Sequence, residues 1–220
     1  MKKEKKEKRP PVLDPVSRAS EIIFGVLMAL TFTGSLSAVT AGREEVRTMM
    51  LTALGCNLAW GLVDAVMYLV DTHTERARNL TLLRSVRGAV DPKKAQASIA
   101  EALPGRLGDA ISAEDLEGIR RRLITLPEPP DRARLSGDDY LGALSVFLLV
   151  VLATFPVVVP FMMFSEVALA MRISNGVALA TLFAAGSTLG HYAGGIPWRA
   201  GFAMAVLGGA LVAIIMALGG

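Results

Sequence analysis

Five apolar segments, each long enough to cross a bilayer, dominate this chain of 220 residues. A helix of about 20 residues rises about 30 Å, which matches the thickness of a hydrocarbon core. The polar residues lie mainly between and before these segments. We therefore predict an all-α membrane protein with five transmembrane helices, at residues 22–40, 49–70, 140–164, 174–193 and 200–218.

Charged residues make up 20% of the chain and are concentrated in two stretches outside the apolar segments. The first is a basic tail, and the second is a polar insert between the second and third spans. This pattern predicts one membrane domain with one small insert. The predicted divisions are a cytoplasmic tail at 1–20, transmembrane helices 1 and 2 at 21–70, a cytoplasmic helical insert at 71–139 and transmembrane helices 3 to 5 at 140–220.

The basic residues predict the orientation of the chain in the membrane. Seven precede the first span, twelve lie between the second and third, and one lies between the fourth and fifth, so 20 of the 23 fall on one side. The positive-inside rule makes that side cytoplasmic. We expect a bacterial inner membrane protein whose N-terminus is cytoplasmic and whose C-terminus is outside. The pI of about 9.2 then reflects topology and contact with membrane lipids, and nucleic acid is not an expected partner.

A cleaved signal peptide ending near Ala41 is the competing interpretation of the N-terminus. The apolar stretch of 19 residues before it is longer than the 7–15 residues typical of a signal peptide. A retained first span is therefore favoured.

The insert is predicted to contain short helices. The second span continues into it with apolar residues at helical spacing as far as Val90. Asp91 and Pro92 match an N-cap followed by proline at the first helical position. Ser112 opens a capping-box pattern for a further helix. Residues 126–135 contain three prolines and are expected to form a stiff linker back to the membrane.

Asp64 is the candidate functional residue of the membrane segments. It lies near the middle of the second apolar segment, where a charge costs roughly 2.5–3.5 kcal/mol. Asn57, Asp64 and Asp71 recur every seven residues and therefore share one helix face. The first span carries a similar stripe that includes Met28, with Glu21 at its cytoplasmic end.

If the two stripes meet, they form a corridor suited to cations. Carboxylates prefer hard divalent ions, and thioethers prefer softer ones. A buried aspartate also carries protons. We predict that Asp64 binds cation and proton, that two methionines add soft contacts, and that Asn57 and Asp71 line the exits. The predicted metal-site residues are Asp64, Met28, Met67, Asn57, Asp71 and Glu21.

Two alternatives for these acidic residues stay open. Asp64 can be structural, hydrogen-bonded to another helix or paired with a basic group. Glu114 and Glu117, one turn apart in the insert, can share a cation, although such pairs are common on solvated faces. No nucleotide-binding loop, Ser–His–Asp set or zincin motif is present, so an enzyme is not predicted and no cofactor is expected beyond the transported ion.

Two prolines distinguish the third span. Pro156 and Pro160 each lack a backbone donor and are expected to kink or open the helix near its outer end. Broken helices occur at transport sites, and a packing kink is the alternative.

The arrangement of five spans with a helical insert after the second resembles the vacuolar iron transporter family. Residues 20–25 resemble the start of that family's first span, and 156–161 resemble its Pro-Leu-Leu-Pro-Tyr/Phe segment. Residues 198–201 and 207–210 resemble its closing helix. Where the family has Gly-Glu-Tyr in the second span, this chain keeps Tyr68 and has Met67 in place of the glutamate, with Asp64 one turn away.

The resemblance implies a homodimer that moves Fe²⁺ or Mn²⁺ out of the cytoplasm by proton antiport, along a pathway lined by the first two spans. The expectation from the sequence is therefore a divalent-metal exporter. The alternative is a non-transporting membrane scaffold or regulator, whose basic insert binds a partner or anionic lipid through Arg120, Arg121 and Arg122.

Overall fold

The computed structural model describes residues 13–36, 42–103, 105 and 110–218. Within these ranges the chain forms seven helices and no strand. The helices are α1 (Pro15–Gly34), α2 (Arg43–Gly88), α3 (Pro92–Ala102), α4 (Ala113–Thr125), α5 (Gly137–Met163), α6 (Val167–Tyr192) and α7 (Pro197–Ala217). Five of these, α1, α2, α5, α6 and α7, are long and apolar enough to cross a membrane, as expected.

Helix α1 begins seven residues before the predicted start of the first span, inside the stretch assigned to the tail. Asp14 is its N-cap, and the carboxylate accepts hydrogen bonds from the amides of Val16 and Ser17 at 2.8 and 3.0 Å. Pro15 is the first helical residue, where its missing N–H costs nothing. This start signal extends the helix into the tail. The rest of the tail at 1–12, and the predicted end of the first span and cleavage site at 37–41, lie outside the described residues.

Helix α2 has 46 residues, which confirms that the second span continues into the insert. The chain divides into two compact units. The first unit contains Met1–Tyr68 and Gly137–Gly220, and the second contains Leu69–Ser136. Residues of α2 before Leu69 therefore belong to the first unit, and the later ones to the second.

Two apolar clusters form the interior of the first unit. One joins α1 to α5 and α6, and its buried residues are Val26, Ala29, Leu30, Ala153, Val157, Ala178 and Leu182. The other joins α2 to α5 and α6 near the opposite end of α1, and it contains Leu36, Val46, Met49, Ala53, Val158, Phe161, Ala170 and Met171. The helices are thus held by contiguous side-chain packing on both sides of α5.

Helix α5 continues through both of its prolines. Residues 137–163 are helical without interruption, so the helix does not open at Pro156 and Pro160, and a kink at these prolines stays a prediction. Val157 and Val158 between them are fully or nearly fully buried, and the hydroxyl of Ser174 on α6 donates to the carbonyl of Val157 at 2.6 Å. Packing and this added bond hold the segment in helical form.

Helices α6 and α7 pack closely through small residues. A Cβ atom at Gly201 would lie 2.6 Å from the carbonyl oxygen of Phe183. One at Gly186 would lie 2.6 Å from the Cγ atom of Met204. Backbones approach this closely only where side chains are absent, and the glycines therefore set the spacing of this hairpin.

The second unit contains the end of α2 with α3 and α4, and both predicted caps are confirmed. Asp91 caps α3 by accepting from the amide of Lys93 at 2.9 Å. Ser112 caps α4 by accepting from the amide of Asp115 at 3.2 Å. The small core of this unit consists of Val86, Ala95, Ile99 and Leu116.

Three arginines of α2 bind the segment 126–134, which we call the return segment. Arg76 donates to the carbonyl of Arg134 at 2.8 Å, and Arg84 donates to Pro130 and Asp131 at 2.9 and 2.6 Å. Arg87 donates to the carbonyls of Leu126 and Pro127 and to the last-turn carbonyls of α4. Charged donors at a helix C-terminus satisfy carbonyls that lack helical partners.

A substitution at Gly25 tests the contact between α1 and α5. A Cβ atom there would lie 2.7 Å from the carbonyl oxygen of Val150 and 3.0 Å from the Cβ atom of Ala153. We expect Gly25→Ala to lower the free energy of unfolding by about 1–3 kcal/mol, because overpacking forces the backbones apart. The measurement is thermal unfolding in detergent. Gly55→Ala is the control, since no atom lies within 4 Å of a Cβ at that position; equal melting temperatures for both variants would contradict the close contact.

A substitution at Arg87 tests how the return segment is held. Hydrogen bonds from charged groups each contribute about 1.5–3 kcal/mol. We therefore expect Arg87→Ala to increase thermolysin cleavage between residues 126 and 134 at least tenfold. Arg78→Ala removes an exposed arginine of the same helix and should leave the rate unchanged. If both variants are cleaved like the wild type, the arginine contacts do not hold the segment.

Candidate functional site

Helices α1 and α2 meet along an antiparallel face within the first unit. Gly25 on α1 accepts a hydrogen bond from Asn57 on α2 at 3.1 Å. Phe24 and Trp60 form an edge-to-face pair with ring centroids 5.9 Å apart. Glu21 lies one turn before Phe24 and Asp64 lies one turn after Trp60, so this antiparallel register brings the two carboxylates to the same part of the face, where they interact electrostatically. Of the two predicted stripes, these contacts involve Glu21 of the first and Asn57 and Asp64 of the second.

The acidic pair of Glu21 and Asp64 is the most distinctive chemical feature of this face. Both side chains are partly buried, and the Oδ2 atom of Asp64 is buried without a hydrogen-bond partner among the described residues. No basic side chain within the described ranges forms an ion pair with either carboxylate. The hydrogen-bonding or basic partner that a structural role for Asp64 would require is thus not present in the described part of the chain.

The aromatic pair lies directly beside the acidic pair. Trp60 is 42% exposed, so its ring is only partly covered by neighbouring residues. Edge-to-face contacts of this kind contribute about 0.5–1.5 kcal/mol beyond their buried area. Along the chain, the pair lies between the acidic residues and the contact of Asn57 with Gly25.

Asn57 joins three helices. The side chain is 0% exposed, and its amide nitrogen donates to the carbonyl of Gly25 on α1 and to the hydroxyl of Thr154 on α5. The hydroxyl of Thr154 in turn donates to the carbonyl of Val150 at 3.3 Å. The Oδ1 atom of Asn57 is buried and has no partner among the described residues. Asn57 thus holds the helices in register and leaves one acceptor oxygen on the same helix face as Asp64.

The other predicted site residues lie apart from the acidic pair. Met28 is seven residues beyond Glu21 on α1, which is about 10 Å along the axis. Asp71 is equally far from Asp64 along α2, is exposed, and belongs to the second unit. Met67 is less than one turn from Asp64 and 48% exposed. The structure therefore brings together Glu21 and Asp64, with Met67 nearest along the chain.

Thr154 and the aromatic pair were not identified from the sequence. Thr154 stands beside Phe155 and Pro156 in an apolar run, and threonines in such runs commonly bond within their own helix. Its contact with Asn57 depends on the register between α2 and α5. The sequence contains no signal for that register.

Glu117 in the second unit is occupied by neighbouring side chains. Arg120 binds both of its carboxylate oxygens at 2.7 Å, and Gln96 and Arg121 donate at 2.9 and 3.0 Å. These bonds, that from Arg120 first, hold the pKa of the Glu117 carboxyl well below its usual range. The carboxylate is therefore ionised and saturated, and Arg120 is not available to an external partner.

Two facing carboxylates define what the first-unit site can do. They can bind a divalent cation, or they can bind protons, since like charges held close together favour protonation. Among the described residues no group of three or more His, Cys, Asp or Glu side chains is placed to hold a metal ion. The remaining ligands of a cation here would be waters, backbone carbonyls or amide oxygens.

Comparisons with known proteins do not assign the chain to a family: no family model matches it, and no curated protein is significantly similar to it.

A substitution at Asn57 separates its structural role from that of Asp64. Asn57→Leu removes both buried hydrogen bonds, so the carbonyl of Gly25 and the hydroxyl of Thr154 each lose the donor that Asn57 supplies, and Thr154 keeps only its own bond to Val150. Loss of a buried partner costs about 1–3 kcal/mol, so we expect a lower melting temperature in detergent. Asn79→Leu, at an exposed position of the same long helix, is the control. A melting temperature unchanged by Asn57→Leu would contradict the role of Asn57 in joining the helices.

Proposed function

We propose that this protein is an integral membrane transporter that exports a divalent metal ion, Fe²⁺ or Mn²⁺, from the cytoplasm. The observation that carries the proposal is the pair of facing carboxylates, Glu21 and Asp64, on two helices long and apolar enough to cross a membrane. Charged groups inside a membrane are costly and are typically functional. The unpartnered Oδ2 atom of Asp64 supports a cation or a proton as its partner.

The proposed chemistry is exchange at the carboxylate pair. A divalent cation binds between Glu21 and Asp64 when both are ionised, and protons displace it when they bind the same oxygens. Proton antiport follows from this competition, because one set of oxygens serves both ions. The buried Oδ1 atom of Asn57, on the same face two turns from Asp64, offers a further acceptor along the path.

The proposed orientation places the N-terminus and the second unit in the cytoplasm and the C-terminus outside, in a bacterial inner membrane. Its support is the distribution of basic residues, of which 20 of 23 lie on one side of the five spans. The resemblance to vacuolar iron transporters supports Fe²⁺ and Mn²⁺ as the first ions to test and a homodimer as the assembly.

A flux assay tests the proposal. The protein is reconstituted into vesicles loaded with a metal-sensitive dye, and Fe²⁺ or Mn²⁺ influx is recorded with and without a pH gradient. We expect gradient-dependent influx for the wild type. Removal of a group that only orients a metal ligand typically costs 10–100-fold in metal affinity, so loss of a direct ligand in Asp64→Asn or Glu21→Gln should reduce the initial rate at least tenfold.

Glu44→Gln is the matched control, because it neutralises an exposed carboxylate at the start of α2 and should preserve flux. Each variant is first shown to have the wild-type melting temperature and oligomeric state. Absence of influx for both ions in folded wild-type protein would overturn the proposal. Equal rates for the wild type and both acidic variants would remove Glu21 and Asp64 from the path.

A further inference from the structure

The first unit contains an open groove of about 360 Å³ between the beginning of α1 and the middle of α5. This volume lies within the range of small-molecule sites. We call it the α1–α5 groove. Its lining residues all belong to the first unit: Leu13, Arg18, Ser145, Leu148, Leu149 and Leu152.

Helices α1 and α5 run in the same direction, which gives the groove two different ends. Midway along α1, a Cβ atom at Gly25 would lie 2.7 Å from the carbonyl oxygen of Val150. Beyond the end of α1, Leu36 belongs to the same buried cluster as Phe161. Later residues of α1 therefore contact later residues of α5.

This register places the basic end of the groove outside its apolar end. Arg18 is seven residues before Gly25, or about 10 Å along the axis, which is the level of Ser145 on α5. Arg18 also lies four residues before Ile22, where the apolar run of α1 begins. Leu152 lies about 10 Å further along α5 than Ser145, within the apolar run 140–164. The groove thus extends from Arg18 toward the apolar middle of the spans.

The Arg18 guanidinium is available to a ligand. The side chain is exposed and forms no ion pair or hydrogen bond with another described residue. The Asp14 carboxylate, one turn earlier, accepts bonds from the first turn of α1, including the hydroxyl of Ser17 at 2.6 Å. Glu21, one turn later, is part of the acidic pair with Asp64. No acidic residue is among those that line the groove.

The floor of the groove is a strip of leucines on one face of α5. Leu148 is 42% exposed and Leu152 is 57% exposed, and Leu149 lies between them in the chain. Residues four apart on a helix lie on the same face. A ligand that matches both ends of the groove therefore combines an anionic group at Arg18 with an apolar chain along these leucines.

We propose that the α1–α5 groove binds one anionic phospholipid. Arg18 donates to the headgroup phosphate, and one acyl chain lies along Leu148 and Leu152, directed into the bilayer. The Ser145 hydroxyl already donates to the carbonyl of Leu141 at 2.8 Å, so Arg18 is the donor for the phosphate. Basic pockets between membrane helices bind anionic headgroups in this way. The inference requires that α1 and α5 lie in a bilayer, and it is independent of metal transport.

A phospholipid fits this groove better than two other occupants. A second copy of the chain related by a twofold axis would present the same surface, so Arg18 would meet its own counterpart. The chain before Leu13 carries six basic and two acidic residues, and its net charge therefore has the same sign as that of Arg18. Neither supplies the anion that the basic end requires.

Native mass spectrometry of the delipidated full-length protein tests this site. The protein in neutral detergent is titrated with phosphatidylglycerol, phosphatidylcholine or glycerol 3-phosphate, and bound adducts and oligomeric state are recorded. Arg18→Gln removes the charge at the groove, and Arg18→Lys keeps it. Leu148→Ala with Leu152→Ala reduces the apolar floor.

The chain offers a matched control for each change. Arg199→Gln removes an exposed arginine at the start of α7. Helix α7 runs parallel to α1, since Gly34 is close to Ile215 and Leu30 is close to Gly208, so Arg199 and Arg18 lie at the same end of the first unit. The control for the floor is Leu141→Ala with Leu144→Ala, two leucines of α5 that are each 51% exposed and lie outside the groove.

We expect one phosphatidylglycerol per chain, bound more tightly than phosphatidylcholine. Arg18→Gln should weaken this binding about fivefold or more, because a basic side chain beside an anionic lipid strengthens binding several-fold. Arg18→Lys and Arg199→Gln should retain the wild-type affinity. The Leu148 and Leu152 pair should weaken binding more than its control pair does.

Four results would overturn the proposal. Equal weakening by Arg18→Gln and Arg199→Gln would show attraction to net charge alone. Equal affinity for phosphatidylcholine would show that the headgroup charge is not recognised. Glycerol 3-phosphate bound as tightly as phosphatidylglycerol would identify an anion site without a lipid chain. Dimers that form only as phosphatidylglycerol leaves would identify a second copy as the occupant. Melting temperatures of all variants are measured in parallel, so that weakened binding is read only from folded protein.

Discussion

The arrangement of α1, α2 and α5 depends on the hydrogen bonds of the buried Asn57 amide. Among lipid tails, apolar side chains gain little by leaving their surroundings, so helices associate through close packing and hydrogen bonds. Asn57 supplies such bonds to Gly25 and Thr154, and Gly25 permits the approach because a side chain there would meet the backbone of α5. Once Asn57 is opposite Gly25, the antiparallel register brings Trp60 to Phe24 and Asp64 to Glu21.

The second unit uses part of its basic composition for internal support. Proline has no backbone donor, so a segment as rich in proline as 126–134 cannot be held by a regular backbone ladder. Arg84 and Arg87 instead donate to its carbonyl groups. Arg120 is similarly occupied by Glu117. The exposed arginines that stay available for external ligands are therefore fewer than the composition indicates.

Features encoded by local patterns were predictable from the sequence. The five apolar helices, the continuation of α2 and the caps at Asp91 and Ser112 each depend on neighbouring residues, and each is found. Helix α1 begins before the predicted span because its start is set by the Asp14 cap and Pro15, and not by where the apolar run begins. Helix α5 does not open at Pro156 and Pro160, because burial against neighbouring helices outweighs two lost backbone bonds.

The candidate site was only partly predictable. The seven-residue spacing places Asn57 and Asp64 on one helix face, but this spacing carries no information on how deeply each side chain is buried. Asn57 is fully buried at a helix junction, whereas Asp71 is exposed in another unit. The pairing of Glu21 with Asp64 and the contribution of Thr154 follow from the register between helices. That register is set by contacts between residues distant in sequence.

The two carboxylates of Glu21 and Asp64 together carry the same amount of charge as one divalent cation, and this equality has an electrical consequence. Two ionised carboxylates carry two negative charges, which one divalent cation or two protons neutralise completely. A site of this composition is therefore uncharged in both loaded states. Moving either loaded form through a bilayer transfers no net charge, so the membrane voltage, worth about 2.3 kcal/mol per elementary charge per 100 mV, would neither drive nor oppose that step. Exchange at such a site responds to concentrations of metal and acid alone.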